Sequence, residues 1–237
     1  MSPLAACLFR SRVHCPILRL DTYRPVCMIL RMSPLTTKQP DITRGRILEA
    51  AFQEIHRHGF QAASLARILD DTGLTKGALY HHFPDKKTLG LAVIEEVIRP
   101  AFDAMLLQPV RCSSQPLQAM REVMRARRVN LSTEEVALGC PVNNLMQEMS
   151  PLDADFRAAL NRLVEDWRST LRHGLAVARE QGQLRSGVDL DAAALFLVSS
   201  VWGCVGLAKN LQSQAAFCTC LAQLEDYLYS ITTEGAG

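Results

Sequence analysis

The chain lacks most features that mark catalytic, secreted or membrane proteins. Its eight cysteines form no C-x-x-C pair and no Cys/His spacing suited to zinc. Cys7, Cys15 and Cys27 lie in the first forty residues, and Cys112, Cys140, Cys204, Cys218 and Cys220 are scattered. Cys218 and Cys220 are too close for an ordinary structural bridge, so reduced thiols are expected. Aromatic residues are 6% of the chain against 48% hydrophobic and 21% charged, the balance of an ordinary globular protein. No apolar run approaches the roughly 20 residues that span a bilayer. The longest candidate, 192–208, is interrupted by Ser199, Ser200, Gly203 and Gly206 and reads as a buried helix with both sides covered, so no membrane partner is expected. No Ser/His/Asp arrangement, phosphate loop or paired carboxylates stand out. Cys140 with His173, and the pair His81–His82, come nearest to catalytic groups, and neither carries an enzyme reading. No cofactor and no metal are expected.

Acidic residues are nearly absent from the first forty positions. Arg10, Arg12, Arg19, Arg24, Arg31 and Lys38 face Asp21 alone, so this segment is +5 within a chain of net +2, and the remainder is −3. Any contact with nucleic acid in the body must therefore be local. Segment 1–40 has no sustained period. It reads as a disordered basic arm or, since MSPL recurs at 1–4 and 32–35, as sequence upstream of a start at Met28 or Met32. An organellar transit peptide has a similar composition.

Helical patterning begins near Asp41. Asp41 or Thr43 is placed to cap a helix with Ile47, Ala50, Ala51 and Ile55 inward, closing at Gly59. Ser64 opens a short second helix with Leu65, Ile68 and Leu69 inward. Gly73 sits where a tight turn needs positive φ. Thr75 caps a third helix reaching His82 or Phe83, Pro84 prevents easy continuation, and Asp85 caps a long fourth. This is a helix–turn–helix pattern with a supporting first helix. The stretch LTKGALYHHFPDKK, 74–87, supplies its outer face. Adjacent histidines lie about 100° apart on a helix, so His81 and His82 do not converge on a metal.

The run SLARILDDTGLTKGALYHHFPDKKTL resembles the DNA-binding domain of the TetR family of bacterial transcriptional regulators, over about 41–100. The resemblance implies an all-α protein: a three-helix head at 41–100, a ligand-binding and dimerisation domain at 101–232, and a short tail at 233–237. It implies a cytoplasmic, homodimeric regulator, in most cases a repressor, that leaves a palindromic double-stranded DNA operator when a small-molecule effector binds. It places the third helix in the major groove, with Thr75, Lys76, Gly77, Ala78, Tyr80 and His81 toward bases or phosphates. Ser64 would offer a hydroxyl and a helix N-terminus to phosphate, and Tyr80, His82 and Lys86 would hold the backbone. Gly77 and Ala78 would let the helix come close, the alanine methyl meeting a thymine methyl. An architectural DNA binder is the remaining alternative.

Beyond residue 100 the pattern is still helical. Pro116 opens a helix with Leu117, Met120, Val123 and Met124 inward, and Arg121, Arg125, Arg127 and Arg128 read as its solvated face, with a ligand-anion site as the alternative. Ser150-Pro151 reads as the start of a long helix with the apolar line Leu152, Phe156, Leu160, Leu163, Trp167, Leu171 and Leu175. Asp189 or Asp191 starts another, and a last helix carries Phe217, Leu221, Leu224 and Leu228. The segment 137–150, ALGCPVNNLMQEMS, is similar to a "GC" segment in one branch of the family that includes electrophile sensors. Phe102, Met124, Cys140, Asn143, Met146, Trp167 and His173 are the expected effector pocket, with Cys140 a candidate reactive thiol at a helix N-terminus. Trp167, Leu171, Ser199, Gly203 and Gly206 are the expected dimer interface.

Overall fold

A computed structural model describes residues 39–233. The expected arm, apart from its last two residues, and positions 234–237 lie outside the described residues, as does the side chain of Asp41. Two short helices follow one long one: α1 (Gln39–His58), α2 (Leu65–Thr72) and α3 (Lys76–His82). Helix α1 begins at Gln39, two residues ahead of the expected start. Polar side chains set the next boundaries. Ser64, Thr75 and Asp85 accept hydrogen bonds from the N–H groups of Arg67, Ala78 and Thr88, which satisfies donors that a helix start leaves orphaned. Gly73 takes φ +64 and closes α2, its N–H donating to the Leu69 carbonyl. Ile47, Ala51, Ile68, Leu79 and Phe83 form the small core of this head.

Helix α4 runs without a break over 86–111. It widens into π-turns at Ile94–Ile98 and Asp103–Leu107, where the N–H groups of Arg99 and Gln108 reach back to the carbonyls of Ile94 and Asp103. Each turn ends just before a proline, Pro100 and Pro109. Proline has no N–H to give and its ring crowds the carbonyl four residues back; the wider turn removes the conflict without breaking the helix. Helix α4 thus joins the head to the body.

The body comprises α5 (Pro116–Asn130), α6 (Thr133–Leu138), α7 (Pro141–Met149), α8 (Ala154–Glu180), α9 (Leu190–Leu211) and α10 (Gln214–Ser230). Helix α9 packs on α8 and α10, and α5 lies against the same two. Two expectations need correction. Helix α8 does not start at Ser150-Pro151: the Met149 carbonyl takes the N–H groups of Leu152 and Asp153, which closes α7 there, and Asp153 caps α8 through the N–H groups of Asp155 and Phe156. Leu152 accordingly lies on the surface. Nor is α9 covered on both sides. Leu190–Leu211 is long and apolar enough, by length and composition, to cross a membrane, yet only 33% of its apolar window is buried. Leu195, Phe196, Leu207 and Leu211 stay exposed along one face.

Candidate functional site

Two surfaces carry the chemistry. On α3, Leu79 and Phe83 are fully buried and anchor the helix. The rest of it points outward: Thr75, Lys76, Gly77, Tyr80 and His81 are exposed, and Ala78 and His82 half-buried. The helix therefore presents one continuous polar face. A Cβ on Gly77 would meet nothing nearer than the Thr75 hydroxyl at 3.9 Å, so packing within the chain does not require the glycine and open space lies in front of it. The rings of His81 and His82 meet edge to face at 5.2 Å.

Two residues assigned to phosphate, Ser64 and Lys86, are already engaged within the protein. The Ser64 hydroxyl caps α2, and the Ser64 N–H donates to the Glu54 carboxylate at 2.8 Å. Burial pushes the Glu54 carboxyl up, but the Arg67 and Ser64 hydrogen bonds prevail and hold it below the usual carboxylate range. That start of α2 thus already faces a negative charge. Lys86 donates to the Gln61 carbonyl at 2.9 Å and lies 5.0 Å from the Phe60 ring centre, and burial lowers its pKa. Lys87 bridges Asp153 and Asp155, both at 2.7 Å. The sequence reading missed Glu54, Arg67 and the neighbouring Arg46, which donates to the Thr72 carbonyl at 2.6 Å. No local pattern announces pairs that meet only after α1 and α2 fold together.

In the body, α4, α5, α8, α9 and α10 enclose a cavity of about 100 Å³. Of the expected pocket residues, Phe102, Met124, Cys140 and Trp167 line it. Trp167 stands edge-on to Phe102 at 5.4 Å and to Trp202 at 5.3 Å. The remaining expectations are corrected. His173 is exposed on the far side of α8, Met146 is not part of this cavity's wall, and Asn143 opens instead into a cleft of about 580 Å³ between head and body. Arg127, read first as solvated with an anion site as the alternative, has a side chain only 17% exposed and forms part of the cavity wall. Arg125 and Arg128 of the same helix reach Glu225 of α10. Burial pushes the Cys140 thiol up, opposed by the N–H groups of Asn143 and Val142, the Arg127 charge and the Trp202 side chain.

Head and body are joined around that cleft. His56 of α1 stacks on Phe52 and bonds through Nε2 to the Gly139 carbonyl at 2.8 Å. Glu148 of α7 accepts the N–H groups of Phe60 and Gln61, each at 2.8 Å. Phe60 meets Phe156 of α8 at 4.5 Å, over Gly90.

The expected dimer residues divide. Ser199 and Gly203 lie on the open face of α9, with nothing within 4 Å of a Cβ built on Gly203. Gly206 instead faces Asn143, at 3.7 Å from such a Cβ. Trp167 and Leu171 are buried in the cavity wall of their own chain, because the apolar line of α8 points inward to the void.

This architecture has known counterparts. Residues 47–93 match the family model for bacterial regulatory proteins of the tetR family, and 116–224 match that for the Tetracyclin repressor-like C-terminal domain. The transcriptional regulator AcuR of Cereibacter sphaeroides is 30% identical over 69% of this chain and 75% of its own length. The HTH-type transcriptional repressor DhaR of Mycobacterium sp. is 24% identical over 68% and 80%. A crystal structure of a regulatory protein TetR from Rhodobacter sphaeroides superimposes with a TM-score of 0.69 at 26% identity, over 78% of this chain and 98% of that one. Family members are DNA-binding regulators and not enzymes, and with an exposed reading helix, a linking α4 and a helical body around a cavity, this chain belongs to the TetR family of bacterial transcriptional regulators.

Proposed function

We propose that the protein is a cytoplasmic repressor that binds a palindromic operator as a homodimer and leaves it when a small molecule enters the body cavity. The observation that carries this reading is the pairing of an outward polar face on α3 with an aromatic-lined cavity in the body, whose wall includes α4, the helix that follows α3 and joins head to body. A ligand that fills the cavity acts on Phe102, Met105 and Leu106 of α4, and the two π-turns give that helix alternative ways to run. Differential affinity for two α4 positions then shifts the separation of the two heads. The open apolar face of α9 supports self-association about a two-fold axis. Lys76 and Tyr80 contact phosphate or bases in this reading.

The test is operator selection from random duplex DNA with purified protein, followed by footprinting. A pseudo-palindromic site, lost with Lys76→Ala and Tyr80→Ala at unchanged melting temperature, is expected; weak binding without sequence preference would mean an architectural protein instead. Leu195→Asp with Leu207→Asp should shift sedimentation from dimer to monomer. The cysteine-sensor alternative needs a thiolate at Cys140, whereas burial favours the thiol, so reversible binding is the better-supported signal.

A further inference from the structure

The polar wall of the body cavity is rich in donors. Its charged lining residue is Arg127, a guanidinium with five N–H groups and no acceptor. Beside it lie Cys140, which opens α7, and the Trp202 side chain. All other lining groups are apolar or aromatic. Arg127 is not fully committed. Its contact with Glu135 is 3.4 Å from both terminal nitrogens to a single oxygen, Oε1, longer than the roughly 2.7–2.9 Å of a tight charge-assisted bond. The other oxygen of Glu135 accepts the Ser132 N–H at 2.9 Å and so caps α6. A volume of about 100 Å³ is smaller than the roughly 150 Å³ that holds benzene, which limits an occupant to about four to six non-hydrogen atoms.

We infer that the effector is a short-chain monocarboxylate, its carboxylate on Arg127 and its hydrocarbon end against Phe102, Trp167 and Trp202. This rests on the cavity being the effector site. The charge matters as well as the fit. A carboxylate on Arg127 weakens its hold on Glu135, and α6 is the element that carries Glu135 in the body and meets the head: its closing residue Gly139 receives His56, and Glu134 lies 3.7 Å from Arg57. An anion therefore loosens the contact between α6 and α1, whereas a neutral occupant only fills space.

The chain's two tryptophans both line the cavity, so their emission reports occupancy while fluorescence anisotropy of a labelled operator reports release. Butyrate, butyramide and butan-1-ol are the probes, with pentane as a purely apolar control. Butyrate should change emission saturably and release operator, butyramide should bind about tenfold or more weakly, and Arg127→Met should remove that advantage and, having lost the pair with Glu135, hold operator more weakly even without ligand. Arg127→Gln and Arg127→Lys serve where the methionine variant does not fold; the first should behave as Met, the second should retain part of the preference. Equal binding of butyramide and butyrate, a butyrate affinity unchanged in the variants, or no response to butyrate below about 10 mM would overturn the carboxylate. If butan-1-ol or pentane then still releases operator, the cavity remains the effector site; if all four leave emission and operator unchanged, both readings fall.

Discussion

Head and body solve the same problem differently. The head has a small core and sets its helices with side-chain caps: Ser64, Thr75 and Asp85 each fix a helix start to within one residue. The body has long helices whose ends matter less, and it leaves a void where four of them meet α4. The difference teaches a division of labour. Caps and a dense core hold α3 in one orientation, as a surface that reads DNA must be held, while a cavity beside an irregular α4 keeps the body responsive. Substitutions that blur this contrast are its sharpest tests.

The largest effect belongs to the head core. Phe83 is fully buried and its ring lies under the Arg44 guanidinium at 4.6 Å. Phe83→Ala should cost about 3–5 kcal/mol, measured by urea denaturation, and abolish operator binding. A loss under about 1 kcal/mol would show that α3 is not anchored by this core.

Next comes the joint between the two regions. A Cβ at Gly90 would stand 2.5 Å from Phe60 and 2.8 Å from Phe156. These rings belong to the head and the body and are themselves in contact, so neither has room to yield. Gly90→Ala should cost about 1–3 kcal/mol by overpacking and weaken the coupling between effector and operator more than it weakens effector binding. Equal losses in both would mean that the joint transmits nothing.

The same contrast explains how much was legible in the sequence. The head was readable because caps, turn glycine and apolar spacing are local signals: Ser64, Gly73, Thr75, Asp85, Leu79 and Phe83 all do what their positions imply. What failed there was the assignment of spare polar groups, since whether Ser64 or Lys86 is free depends on Glu54 and Gln61 across a fold. In the body the helices were legible and the site was not. Trp167, Leu171 and His173 share α8, and only the packing of four other helices decides which of them faces the void, the core or water. Arg127 shows the limit most clearly: one of four arginines on a helix, distinguished from Arg125 by two positions and by what α6 and α9 bring near it.

On the outer face of α3 the expected change is in affinity alone. Lys76 is exposed, so Lys76→Gln should leave stability within about 0.5 kcal/mol. If it meets phosphate, the slope of log affinity against log salt should become shallower by about 0.9 per protomer. An unchanged slope would remove Lys76 from the phosphate contacts while leaving α3 as the reading helix.

The smallest effect tests the hinge between the regions by pH. Burial lowers the pKa of His56, opposed by its bond to the Gly139 carbonyl, with Lys209 and Arg57 lowering it further and Glu134 raising it. The folded protein therefore prefers the neutral ring. Below the ordinary histidine value of 6.5 the unfolded chain takes up a proton that the folded one resists, so this contribution is complete above that pH and is lost as pH falls through the folded value. Melting temperature should drop between pH 7.5 and 5.5 by more in the wild type than in His56→Gln, where an amide can keep a donor toward Gly139 without titrating. Because the bond ties α1 to the residue that closes α6, the same acidification should also ease release of operator by effector. If the variant loses as much stability as the wild type, the acid sensitivity lies elsewhere and the joint at Gly139 is a passive contact.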